Sequence, residues 1–277
     1  MSSRMHQVAV VNEEIAERGS YRSPAGSPVE VGVLLAAART GTVSYAPGDA
    51  VPGAVGGAFT GRVEVTAEGS MQAAHRLYES AGVRAGAGGR VGVLNFASAR
   101  NPGGGYLRGA KAQEEDLCRS ALLYRCLLEA PDYYEAHRAS ADLRYSHRVI
   151  FSPDVPVIRD DRGELLERPY PVAFLTSPAP NAGQLALHSE GAGVDVRAEL
   201  AERAAMVLAV ASAHGVRELV LGAWGCGVFR NDPAQVAEAF ELALGAYGAG
   251  FERVVFAVWD RTPVSANRAA FEARFGG

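Results

Sequence analysis

Glu114, Glu115 and Asp116 stand side by side at the start of a stretch with helical spacing, Gln113 to Glu129, and follow closely on three consecutive glycines, Gly103, Gly104 and Gly105. Adjacent carboxylates repel one another, which favours keeping one protonated near neutral pH. A carboxyl poised between its two forms can give a proton to a leaving oxygen or take one from water. The N-terminal end of a helix acts in the opposite sense by stabilising anions, so the residues alone leave the balance open. A plainer use of the same acids is open too: first-turn carboxylates favour the helix dipole, and Glu115 with Arg119 has the i,i+4 spacing of an ion pair.

Three glycines in a row lose backbone entropy that no side chain returns, and chains accept them where the backbone takes φ > 0 or lies directly against a ligand. Gly103–Gly105 therefore read as a ligand-facing loop, with a flexible turn after Asn101-Pro102 as the alternative. A second glycine-bearing loop runs from Ala223 to Phe229 and holds Gly225, Cys226, Gly227 and Val228, just ahead of a helix start at Asn231-Asp232-Pro233. Its backbone N–H groups could wrap a diphosphate; a C-cap and tight turn would use the same glycines. The familiar nucleotide motifs are absent. There is no GxxxxGK[ST], and Tyr106, Leu107 and Arg108 after the triple glycine break GxGxxG. Cys226 has no histidine beside it in sequence to form a nucleophile pair.

Both loops need a scaffold, and the hydrophobic pattern supplies one. Residues 5–19 read as an amphipathic helix ending at Gly19, Val31–Ala37 and Arg62–Ala67 as short strands, and Ser70–Glu79 as a helix before the glycine-rich stretch Ala81–Arg90. From there the chain is regular. Val91–Phe96 is a strand, followed by the first glycine loop and the helix from Gln113 to about Glu129. A less regular aromatic and charged insertion comes next, then Val149–Phe151 and a hairpin turn around Asp160-Asp161-Arg162-Gly163. Strands at Val172–Thr176, Glu218–Gly222 and Val254–Trp259 then alternate with helices at Val196–His214, Pro233–Tyr247 and Ser265–Phe275. Continuous apolar strands separated by helices mean a sheet covered on both faces, a three-layer α/β/α arrangement. In such sheets ligands bind in the loops at the carboxyl ends of strands, where both glycine loops fall.

Composition narrows the classes. At 277 residues, 48% hydrophobic and 21% charged, the chain can bury a substantial core. Its three cysteines lack metal or disulfide spacing, which points to a reducing cytosol and no metal site. No apolar stretch reaches bilayer-spanning length, and the acidic residues among the first twenty do not suit a signal peptide. A formal charge of −4 argues against a broad grip on nucleic acid.

Triple glycine, seven residues and Gln113-Glu114-Glu115, in the context NFASARNPGGGYLRGAKAQEEDLCRSALLY and with TSPAPNAG and LGAWGCGVFRND later in the chain, resembles the poly(ADP-ribose) glycohydrolases, specifically their bacterial branch. The resemblance runs from about Tyr78 to the C-terminus and more faintly over the N-terminal helix. It implies a macrodomain-like mixed sheet in residues 78–277 with residues 1–77 as an extension packed on it. It also implies hydrolysis of the ribose–ribose O-glycosidic bond in the cytoplasm, without metal or other cofactor, on ADP-ribose polymers carried by ADP-ribosylated proteins. By the same resemblance Glu115 is the acid and later the base, and Glu114 holds ribose and leaving-group hydroxyls. Asn101, Gly103–Gly105 and Gln113 would bind the distal ribose, and Gly225, Cys226, Gly227, Val228 and Phe229 the diphosphate and terminal ribose, closing over the chain end for exo-cleavage. Phe229 as a core aromatic, an ADP-ribose reader without catalysis, and a mono-ADP-ribosyl hydrolase are the alternatives.

Overall fold

The computed structural model describes residues 4–80, 89–188, 195–261 and 264–276; most of the glycine-rich stretch 81–90 lies outside the described residues. The chain opens with helix α1 (Arg4–Arg18), a small hairpin of β1 (Ser20–Arg22) and β2 (Pro28–Glu30), helix α2 (Gly32–Thr40), strands β3 (Val43–Tyr45) and β4 (Arg62–Thr66), and helix α3 (Ser70–Ser80). Then come β5 (Arg90–Phe96), α4 (Gln113–Ser120), α5 (Leu123–Leu127), α6 (Pro131–Arg138), and the long strands β6 (Val149–Arg159) and β7 (Leu165–Ser177). The last part holds α7 (Ala182–His188), α8 (Arg197–Ala213), β8 (Val216–Leu221), α9 (Pro233–Tyr247), β9 (Arg253–Ala257) and α10 (Ala266–Phe275).

One seven-stranded sheet runs in the order β3-β6-β7-β5-β8-β9-β4. β7, β5, β8, β9 and β4 are mutually parallel, whereas β6 and β3 join antiparallel at one side. The mixed sheet between two helical layers is thus as the apolar pattern predicts. Successive side chains of a strand face opposite ways, and the core divides accordingly. Val91 and Val93 of β5 and Val220 of β8 pack with α1–α5, while Leu94, Leu219 and Leu221 pack with α8, α9 and α10. Burying each such side chain contributes about 1.5–3 kcal/mol.

Three expectations need correction. Val31–Ala37 is not a strand: α2 covers most of it, with Leu35 and Ala38 buried while Val33 stays 85% exposed. A short apolar run has no period that separates helix from strand. The helix from Gln113 does not reach Glu129. Ala121 turns extended and forms a bridge with Val157, and Leu122 donates its N–H to Pro156 O (3.1 Å), so β6 captures the chain and α5 starts afresh. The irregular insertion contains a regular helix, α6, started by Pro131 at its first turn.

Residues before 78 supply more than a cover. β3 and β4 form the two edges of the sheet. α1 is fastened beneath the first glycine loop through Asn12, which is fully buried. Its Nδ2 donates to Arg119 O (2.8 Å) and its Oδ1 accepts from Arg159 Nε (2.8 Å). Buried amides of this kind persist because every polar atom finds a partner.

Candidate active site

The glutamate pair lies at the carboxyl end of β5, at the centre of the sheet. The strand ends, the chain loops through Asn101–Ala112, and α4 brings Glu114 and Glu115 back beneath that loop, 3% and 7% exposed respectively. Gln113, expected at the ligand, instead fastens the helix start to the strand: its Oε1 accepts from Phe96 N (2.9 Å) and its Nε2 donates to Leu94 O (2.8 Å) and Ser70 Oγ (3.1 Å).

Glu114 is held through both oxygens. Oε2 accepts from Ser98 N (2.7 Å) and Oε1 from Asn95 Nδ2 (3.3 Å), and the same amide also donates to Thr176 Oγ1 (3.1 Å) on β7. Burial pushes the Glu114 carboxyl up to about 8; the Ser98 and Asn95 donors pull it down, and the neighbouring Glu115 adds to the rise. Desolvation is the larger effect, so Glu114 keeps its proton at neutral pH. Asn95 and Ser98 were not singled out in the sequence. An asparagine inside the apolar run VGVLNF was the available signal, since a fully buried polar side chain needs a purpose.

Glu115 is held through one oxygen only. Gly105 N donates to Oε1 (2.8 Å), whereas Oε2 is buried with no hydrogen-bond partner among the described residues. The ion pair considered for Glu115 and Arg119 does not form. Arg119 Nη2 pairs with Asp116 (2.5 Å) and its Nη1 donates to Ala110 O (2.8 Å), which pins the end of the glycine loop and leaves Glu115 to the site. Gly103 (φ +64°) and Gly104 (φ +59°) take the left-handed region, and Asn101 is exposed at the head of the turn, its carbonyl accepting from Gly104 N (3.0 Å).

The second loop follows β8. Trp224 is fully buried and donates Nε1–H to Ser177 O (3.1 Å), while Asn231 Nδ2 donates to Pro180 O (2.8 Å) and Gly225 O (3.2 Å), so the loop is tied to the segment after β7. Gly225 has φ +71°, and a Cβ there would lie 2.4 Å from both Ala179 Cβ and Asn231 Nδ2. Gly227, Val228 and Phe229 have backbone N–H groups with no acceptor among the described residues, a run of three free donors of the kind that binds phosphate. The Cys226 amide is occupied by Ala223 O (3.1 Å), and burial pushes its thiol up to about 12, which disfavours the thiolate. Val228 is 85% exposed, and Phe229 is half-buried with its ring 6.0 Å from that of Tyr145.

Parallel strand ends carry a glycine loop, a buried carboxyl pair and a second loop of free amides, the arrangement expected of a macrodomain-like hydrolase. Residues 9–160, more than half of the chain, match the family described as microbial-type PARG, catalytic domain. The chain belongs to this family, whose members are glycosidases that act on poly(ADP-ribose). Similar solved structures include poly(ADP-ribose) glycohydrolase from Thermomonospora curvata bound to the inhibitor ADP-HPD, at 46% identity and TM-score 0.86, covering 98% of this chain and 99% of that one. The enzyme from Deinococcus radiodurans in complex with ADP-ribose is also similar, at 45% identity and TM-score 0.78, covering 87% of this chain and 96% of that one. No curated protein matches the chain.

Proposed function

We propose that the chain hydrolyses the ribose–ribose O-glycosidic bond of poly(ADP-ribose) at Glu115, working from the chain end and releasing ADP-ribose. The observation that carries the assignment is the asymmetry of the pair: both oxygens of Glu114 are engaged, whereas Glu115 keeps Oε2 free. Glycosidic cleavage passes through an oxocarbenium-like state, so the leaving oxygen must receive a proton as the C–O bond breaks. Glu115 delivers that proton from Oε2, and its carboxylate then takes one from the water that attacks C1″. Glu114, held by Asn95 and Ser98, orients ribose hydroxyls.

Asn101 and the triple glycine line the distal ribose, and the free amides of Gly227–Phe229 take the diphosphate. Val228 and Phe229 close over the terminal unit, which favours exo-cleavage. Residues 78–277 are the catalytic domain and residues 1–77 an extension packed on it that also completes the sheet. The polymer is that of ADP-ribosylated proteins in the cytoplasm, with no nucleic acid or membrane partner. No helix among the described residues is long and apolar enough to cross a membrane.

A labelled polymer tests this reading. Shortening from the end with release of free ADP-ribose is the expected result. Binding without release, or release only from mono-modified protein, would replace glycohydrolysis by the reader or the mono-ADP-ribosyl hydrolase.

A further inference from the structure

The polymer extends on both sides of the bond that is cut, and the leaving side needs a seat of its own. A groove of about 90 Å³ is walled by Pro102, Gly104, Gly105, Leu107 and Arg108. Gly104 and Gly105 belong both to its wall and to the immediate surroundings of Glu115 Oε1. The wall is a firm one. The single turn Tyr106–Arg108 stands on the buried Tyr106, whose hydroxyl lies 3.3 Å from Glu13 Oε1 of α1, and His6 Nδ1 lies 2.7 Å from Leu107 O. This turn packs on α1 and α4, whereas the loop of free amides is tied to the segment after β7. With the terminal unit's diphosphate along the second loop and its distal ribose at the triple glycine, the outer part of the turn, Leu107 and Arg108, is left for the next unit.

The groove's chemistry suits that occupant. Leu107 is 43% exposed and offers an apolar surface, and the exposed Arg108 has no ion-pair partner among the described residues. A planar guanidinium fork matches phosphate oxygens, which an arginine already paired to a carboxylate could not serve as well. The volume is too small for a whole ADP-ribose unit, so only the part nearest the cut bond sits there, with the rest of the polymer in solvent.

We infer that this groove is the leaving-group subsite, seating the ribose-phosphate that follows the cut bond with Arg108 on its phosphate. The inference rests on the glycohydrolase reading above, and a pair of substrates separates the two. One is a linear oligo(ADP-ribose). The other joins ADP-ribose by the same bond to adenosine that carries no phosphate on the leaving side. The variant Arg108→Glu is expected to raise KM for the oligomer about tenfold, the scale of one charge-assisted contact, while leaving both constants for the adenosine substrate within about twofold. Arg108→Lys should fall between wild type and Arg108→Glu. Equal losses on both substrates, or none on either, would overturn the subsite. If the wild type cut neither substrate, the glycohydrolase reading would fail first and the subsite with it.

Discussion

Glu115 occupies the space that a side chain on Gly104 would need: a Cβ there would lie 2.5 Å from Glu115 Oε1 and 3.1 Å from Glu114 Oε2. The triple glycine and the glutamate pair are thus one construction, in which backbone is kept bare so that the two carboxyls can stand directly beneath it.

Gly104→Val carries the first prediction. The residue has φ +59°, a conformation that a β-branched side chain adopts at a cost of about 1–3 kcal/mol. The added methyls would also displace Glu115 from the Gly105 amide. Calorimetric titration with ADP-ribose should show binding abolished, with a lowered melting temperature. Affinity equal to wild type would place the ligand elsewhere.

Glu114 should make stability depend on pH. Its folded carboxyl titrates at about 8, above the ordinary 4.5, so between those values the folded state binds more protons than the unfolded one. Stability from this group is then fully present below the ordinary value and is lost as pH rises through the folded one. Glu114→Gln lacks the titration. Urea midpoints of the variant and wild type, measured at pH 5 and pH 8, should separate in the variant's favour toward pH 8. A difference independent of pH would contradict the raised carboxyl.

Asn12 tests the part of α1 in holding the site together. Asn12→Ala leaves Arg159 Nε and the Arg119 carbonyl without the partners they have at 2.8 Å. Stranding a buried charged donor costs about 3 kcal/mol, which a urea titration resolves easily. A loss below about 1 kcal/mol, the range of ordinary surface substitutions, would mean that the helix is only a cover.

Much of this was legible in the sequence because its period and its costly residues are local signals. Val91–Phe96, Pro233–Tyr247 and the two glycine loops declare themselves through apolar runs, Asp232-Pro233 capping and consecutive glycines. What could not be read depends on contacts far apart in the chain. α4 stops at Ser120 because Val157, far along the chain in β6, captures Ala121. Gln113 serves strand β5 because Phe96 N and Leu94 O happen to face it. Asn95 matters because Thr176 of the neighbouring strand and Glu114 of α4 converge on one amide. The α2 stretch is a short apolar run, which fits either period.

Glu115→Gln removes the proton that Glu115 gives to the leaving oxygen. The amide keeps an oxygen for Gly105 N but has no acid proton to give. In a polymer-shortening assay run beside an ADP-ribose binding titration, the variant should keep near wild-type affinity with turnover lowered by ~10²–10⁴, the loss of a general acid. Turnover within a few-fold of wild type, with binding intact, would contradict it.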